Sequence, residues 1–224
     1  MGAWVNFITE ANDFSKVFPG IRLRVCTLET NFKFPFYREL LLSLGLVSVS
    51  RKSCLWILGK DHGANGPNAC LIVVGGASEA LLARPRTNDL IIKRRLGFIK
   101  MALITGASLV PVMSFGENDL FDQIPNPPGS AILQVQTRLK QLMSFSLPLF
   151  HGRGVFTYNY GLMPFRAKIT SVVGNPIETR QNKNPTLEDL LFLQKKYMDE
   201  LERIYFAYRN EYETAGSTPL RFVE

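Results

Sequence analysis

Glu79 follows a short apolar run, Cys70-Leu-Ile-Val-Val74, and a pair of glycines, Gly75 and Gly76. A buried strand that breaks at two glycines and carries an acid into a helix is a place where chemistry collects, because open α/β sheets bind ligands beyond the carboxyl ends of their strands. The glycines let the backbone turn sharply and approach a ligand closely. The same pattern supports a plainer reading, in which Glu79 complements the dipole of a helix opened by Ser78 or Glu79 itself. A second acid, Glu117, leaves the apolar stretch Ser108 to Met113 in the polar turn Phe115-Gly-Glu-Asn118. Two acids at two strand ends are expected on one rim, and together they are more suggestive of a site than either alone.

Other groups add charge rather than metal chemistry. Lys93, Arg94 and Arg95 form the densest basic cluster, with Arg84 and Arg86 nearby, and Phe150-His-Gly-Arg-Gly154 is a glycine-flanked turn holding His151 and Arg153. The cluster suits phosphates or lipid headgroups, and a solvated face is the competing reading. Two histidines, His62 and His151, leave a zinc site short of ligands, so no metal is expected. Cys26, Cys54 and Cys70 form no C-x-x-C pair and sit in apolar surroundings, as buried thiols of a reducing compartment do.

The elements that must position these groups alternate. Helical spacing covers Thr9 to Phe18, closed by Pro19-Gly20; a β-prone stretch covers Ile21 to Leu28; Pro35 opens a helix whose apolar stripe is Leu40, Leu41 and Leu44, with Gly45 as its stop. Val47 to Val49 reads as a brief strand, Ser53 begins a short helix, and Asp61 to Pro67 is a Gly-rich loop. After the central strand, Leu90 to Ile92, Leu96 to Thr105 and Ser108 to Met113 read as strand, helix, strand, which predicts βαβ crossovers. Asp122 to Gly129 is a Pro-rich rigid loop, and helical spacing resumes in Ile132, Leu133, Leu139 and Met143. Val155 to Tyr158 and Ala167 to Val173 are β-like. Thr186 caps a long final helix with Leu187, Leu190, Leu191, Leu201, Ile204, Tyr205 and Tyr208 as its stripe. The fold class is therefore α/β, a mostly parallel central sheet flanked by helices with a long C-terminal helix, in a single domain over residues 1–224.

The totals bound the function. The 224 residues carry a formal net charge of +7, are 46% hydrophobic and include 16 Phe. No apolar run reaches the roughly 18 residues that a bilayer-spanning helix needs. Met1 to Glu10 lacks the basic and apolar regions of a signal peptide. Basic residues are not interleaved with aromatics in any nucleic-acid-binding module, so nucleic acid is not an expected partner.

Taken together, these blocks resemble the diacylglycerol acyltransferase 2 family, which includes the monoacylglycerol and wax-alcohol acyltransferases. The matching blocks are Phe18-Pro-Gly-Ile-Arg22, Asn31-Phe-Lys-Phe-Pro-Phe-Tyr-Arg-Glu39, Val74-Gly-Gly-Ala-Ser-Glu-Ala-Leu81, Arg95-Leu-Gly-Phe-Ile-Lys100, Val110-Pro-Val-Met-Ser-Phe-Gly-Glu-Asn118, Phe150-His-Gly-Arg-Gly-Val-Phe156, Gly161-Leu-Met-Pro-Phe and Val172-Val-Gly-Asn-Pro-Ile177. Their order and spacing cover almost the whole chain. Glu117-Asn-Asp-Leu-Phe-Asp-Gln-Ile-Pro125 and Ser146-Leu-Pro-Leu-Phe-His-Gly-Arg-Gly154 are most similar to the monoacylglycerol acyltransferases.

The resemblance implies a glycerolipid-acyltransferase-like fold and transfer of an acyl group from acyl-CoA to the hydroxyl of a mono- or diacylglycerol or a long-chain alcohol. It implies no cofactor beyond acyl-CoA as substrate, a membrane surface as partner, and the cytosolic face of the endoplasmic reticulum membrane as location. In the family a H-P-H-G motif supplies the catalytic base just before a G-A-x-x-N stretch. Gly2-Ala-Trp-Val-Asn6 matches that second stretch, so H-P-H-G falls upstream of Met1. The expectation is an N-terminally shortened chain without the family's base or hydrophobic anchor, inactive by itself. The alternative is a non-catalytic lipid-binding or partner-binding remnant of the same fold, and pairing with itself or with intact relatives stays open. By resemblance Glu79 orients the base or the acceptor hydroxyl, and His151, in the matching F-H-G-R-G turn, suits a structural or substrate-contact role better than that of a substitute base. Gly75 and Gly76 give close backbone approach, while Arg38, Lys93, Arg94 and Arg95 are candidates for CoA phosphates or headgroups. Glu117, Asn118 and Arg153 would line the rim.

Overall fold

In a computed structural model of the chain, residues 3–9, 12–59, 67–123, 150–158 and 161–223 are described. His62, most of the Gly-rich loop over 61–67, and the helical spacing over 132–143 lie outside the described residues; the strand after that loop, expected from sequence to be central, lies at the edge of its sheet. The elements run α1 (Val5–Ile8), α2 (Phe14–Val17), β1 (Arg22–Thr27), α3 (Tyr37–Ser43), β2 (Val47–Ser48), α4 (Arg51–Gly59), β3 (Asn68–Leu71), α5 (Gly76–Leu82) and β4 (Asp89–Ile91). Then come α6 (Gly97–Thr105), β5 (Val112–Phe115), β6 (Asp122–Gln123), β7 (Phe150–His151), β8 (Thr170–Val173), α7 (Leu187–Tyr212) and β9 (Arg221–Val223). The fold is α/β with parallel pairing in its first sheet and a long last helix.

That first sheet has the order β2-β1-β3, all parallel, with Arg22 opposite Asn68 and Val25 opposite Leu71. Its connections are α3 and α4, as parallel neighbours require. The remaining strands pair in twos. β4 lies parallel to β9, β5 antiparallel to β8, and β6 antiparallel to β7. Thus β4, read from sequence as part of one continuous βαβ series, finds its partner 132 residues on, where Arg221 Nε and Nη2 hold both Asp89 oxygens at 2.8 and 2.9 Å.

α7 is the element on which the second half of the molecule is built. Thr186 Oγ1 accepts from the Asp189 N–H and Asp189 returns a bond to the Thr186 N–H, a complete capping box of a kind that stabilises a helix by about 1 kcal/mol. Its buried face is Leu190, Leu193, Gln194, Tyr197, Leu201, Ile204 and Tyr205, which recur at three- and four-residue steps and so form one side of a helix. Leu187 and Leu191, assigned to this stripe from sequence, are 62% and 47% exposed, because they fall one step round the helix from the buried face. The upper half of the buried face packs with Ile92 and Ile99, the lower half with Met113 and Phe115. Gln194, the one buried polar residue among the described residues, donates to the Ile92 and Lys93 carbonyls at 2.9 and 3.1 Å, which pins α7 to the end of β4.

Local expectations differ from the structure where tertiary contacts take over. Of the helix expected over Thr9 to Phe18, the described residues hold only α2, Phe14–Val17, which starts after Asp13 with its left-handed φ of 52°; a separate short helix, α1, ends before Thr9. Val155 to Tyr158 is not a strand; Val155 and Phe156 are 73% and 99% exposed, and no neighbouring strand pairs with them. The strand expected over Ser108 to Met113 begins only at Val112, since Pro111 lacks the N–H that a ladder needs.

Candidate active site

β3 ends at Leu71, and Ile72 to Val74 leads into the two glycines. Gly75 is buried with ordinary helical dihedrals, while Gly76 takes a φ of 57°. The requirement at Gly75 is spatial: a Cβ there would lie 2.1 Å from Glu79 Oε2 and 2.4 Å from Glu79 Cβ. The Glu79 side chain folds back over its own helix start, into the space that only a glycine leaves. There Oε2 accepts from the Ile91 N–H at 2.9 Å, which joins α5 to β4. Burial pushes the Glu79 carboxyl above its usual range and the Glu117 charge pushes it further, against the Ile91 hydrogen bond and the Arg95 charge.

Glu117 opens a short 3-10 turn, Glu117–Leu120, after Gly116, whose left-handed φ of 81° turns the chain away from β5. Glu117 Oε1 accepts from the Ala3 N–H at 3.3 Å. The backbone of Ala3 is thereby held against the Glu117 carboxylate. Asn6 makes a further tie to this end of the molecule, donating to Ser171 Oγ at 3.3 Å. Asn118 donates from Nδ2 to the Thr87 carbonyl at 2.8 Å and so holds the loop before β4.

The basic residues separate by role. Arg95 Nη2 donates to the Gly75 carbonyl at 3.2 Å and to Ser78 Oγ at 3.1 Å, so it braces the Gly-Gly turn; its Nε is buried with no hydrogen-bond partner among the described residues. Lys93 and Arg94 are exposed on the same loop. Arg38 sits exposed on α3, 3.9 Å from Glu39. Arg153 donates from Nε to the Pro164 carbonyl at 3.0 Å, and its backbone pairs with Met163. His151 pairs with Asp122 between β7 and β6, and its ring packs edge-on to Phe165 at 6.4 Å. The residues brought together around the glycine turn are thus Gly75, Gly76, Ser78, Glu79, Arg95 and, across the rim, Glu117.

One residue was not singled out from sequence. Tyr197 is buried on α7, its ring 5.0 Å from Phe98, and its hydroxyl is pushed up to about 12 by burial and by the Glu79 charge. A signal existed, for Tyr197 lies seven residues after Leu190 and four before Leu201, on the same helical face. A long helix thereby supplies a phenol near the acid on α5, and the apolar residues Val74, Leu96 and Phe98 close the same region.

Fold and site together define an α/β protein with paired carboxylates on a rim beside an apolar core. The chain belongs to the diacylglycerol acyltransferase family, which it matches over residues 1–223. It is 49% identical to diacylglycerol O-acyltransferase 2 of Dictyostelium discoideum over 210 residues, 94% of this chain and 62% of that protein. It is 48% identical to human 2-acylglycerol O-acyltransferase 1 over 212 residues, 95% of this chain and 62% of the relative. With diacylglycerol O-acyltransferase 2A of Umbelopsis ramanniana it shares 45% identity over 227 residues, covering all of this chain and 63% of the relative. The chain thus spans less than two thirds of the length of these curated relatives. No solved structure matches it significantly. No described helix is long and apolar enough to cross a membrane.

Proposed function

We propose that the chain forms the acceptor side of an acyl-CoA-dependent O-acyltransferase, which transfers a fatty acyl group to the hydroxyl of a mono- or diacylglycerol or a long-chain alcohol. The observation that carries this reading is the approach of the Ala3 backbone to Glu117, whose charge acts on the half-buried Glu79. A H-P-H-G segment a few residues upstream of Met1 would reach that rim. Its histidine would take the proton of the acceptor hydroxyl, and the hydroxyl oxygen would attack the thioester carbonyl; the C–S bond breaks and the CoA thiolate leaves with the proton. Glu79 orients that histidine, Tyr197 stands as an uncharged phenol beside it, and Glu117 with Asn118 shapes the entry. Gly75 and Gly76 allow close approach. Lys93 and Arg94, exposed on the β4–α6 loop, face CoA phosphates or lipid headgroups, with Arg38 and Arg153 further out. His151, packed on Phe165 in its own hairpin, is the weaker base.

A membrane surface as partner is supported by the start of α3 and the loop entering it; its assignment to the cytosolic face of the endoplasmic reticulum rests on the family resemblance. Phe34, Phe36, Leu40 and Leu44 are 59%, 90%, 53% and 52% exposed, and Phe36 holds a left-handed φ of 63°, a costly setting for an aromatic residue in water. This patch also favours the second reading, a lipid-binding remnant without turnover.

Labelled acyl-CoA, offered with monoacylglycerol, diacylglycerol or fatty alcohol in membranes, separates the two. The chain alone should be silent, and the chain preceded by a relative's H-P-H-G segment should be active. Glu79→Gln in the extended protein should lose roughly 100-fold or more, the range of positioned acid–base groups. Turnover by the chain alone would refute the need for an upstream base. Vesicle binding with silence in both forms would establish the remnant reading.

A further inference from the structure

Cys26, Cys54 and Cys70 come from β1, α4 and β3, yet their sulfurs all lie within 4.8 Å of one another. No two are bonded. The parallel register sets Cys70 opposite Arg24, and Cys26, two residues further along β1, faces the same side of the sheet. α4 crosses that face and inserts Cys54, which is fully buried; Cys26 is nearly so, and Cys70 is half-buried. Among the described residues this is the one group of three metal-ligating side chains so placed.

The surroundings define the ligand chemistry. Met101 belongs to the same buried cluster, and Val47, Val49, Leu55 and Ile72 pack against it. Thiols and a thioether without a nitrogen or carboxylate donor make a soft set, which selects thiophilic ions. At a metal–sulfur distance of about 2.3 Å, sulfurs sit about 3.8 Å apart in a tetrahedral shell and about 4.0 Å in a trigonal one. The trio therefore needs to close by no more than about 1 Å. Charge chooses among the soft ions. A divalent zinc on three thiolates would leave a net negative charge in apolar surroundings, and the family of four-coordinate zinc sites needs a fourth strong donor. A monovalent ion on one thiolate and two thiols leaves the site neutral.

We propose that Cys26, Cys54 and Cys70 form a three-sulfur site for monovalent copper, which staples α4 to the β1–β3 pair. Binding breaks one S–H bond and releases its proton to solvent; the copper stays monovalent and nothing is oxidised. Because β3 runs on into the Gly75-Gly76 turn, an occupied site also braces the base of the candidate active site.

The test uses the full chain, reduced and handled without oxygen, with monovalent copper supplied against the competing chelator bicinchoninate. One copper per chain should be retained, at least about tenfold more tightly than by the Cys54→Ala or Cys70→Ala variants. Copper X-ray absorption of the unaltered protein should show a sulfur-only shell of three neighbours, a result that does not depend on how the variants fold. Copper should also slow maleimide labelling of the unaltered chain. A shell containing nitrogen or oxygen, retention of zinc but not copper, or copper lost to bicinchoninate as readily as from the triple alanine variant would each overturn the site.

Discussion

Glu79 is held in a position that favours its protonated form. Burial and the Glu117 charge raise its affinity for the proton in the folded state, while the unfolded chain exposes an ordinary carboxyl that titrates at about 4.3. The folded state therefore binds the proton more tightly than the unfolded state. The contribution to stability is complete below the unfolded value and is lost as pH rises through the raised folded value. Glutamine keeps an oxygen for the Ile91 N–H but never ionises. Glu79→Gln should match the parent chain near pH 4 in urea unfolding and exceed it increasingly toward pH 8. Parallel midpoints across that range would mean that Glu79 ionises in the fold without penalty.

At the scale of the element, the start of α5 couples backbone shape to the carboxylate. Gly75 is needed for the volume that Glu79 occupies, since the clash reaches Glu79 Cβ as well as its flexible end. Gly75→Ala should push Glu79 off the Ile91 N–H and cost about 1–3 kcal/mol of stability, as overpacking does. In the extended, active form it should also reduce acyl transfer to the level of Glu79→Gln. Full activity with an unchanged unfolding midpoint would show that the turn accommodates a side chain. Arg95 belongs to the same unit: a cation read from sequence as one of four phosphate candidates is spent partly on the Gly75 carbonyl and Ser78. Its neighbours Lys93 and Arg94 stay exposed, because β4 ends one turn before them.

At the scale of the whole molecule, the last residues close the structure around β4. Phe222 packs against the cluster of Ile92, Ile99 and Leu193, and Arg221 grips Asp89. Removing residues from Leu220 onward should strip β4 of its parallel partner and lower stability by about 2–3 kcal/mol, the order of one buried aromatic side chain. The expected readout is a lower urea midpoint with a nearly unchanged slope. An unchanged midpoint would make β9 an ornament of the fold. Tyr205 and Asn88 both meet Glu213, so the end of α7 and the loop before β4 are tied by the same acid.

Much of this was legible in the order of residues, and the reason is local. Gly45 stops a helix in a left-handed turn at the position expected, Thr186 caps α7, and Arg22–Thr27 is a strand, because caps, turns and short-range periodicity depend on a few neighbouring residues. The strand–Gly–Gly–Glu pattern and the turn after β5 likewise put Glu79 and Glu117 at two strand ends, and the Glu117 charge does act on Glu79 in the fold. Other features depend on contacts between residues far apart in the chain, which no local pattern encodes. Tertiary packing alone paired β4 with β9, turned Tyr197 toward Glu79, left Phe156 in solvent and assigned Arg95 to the turn. It also gathered Cys26, Cys54 and Cys70, three unremarkable apolar-run cysteines in sequence, because a strand register and a helix crossing place their sulfurs on one face.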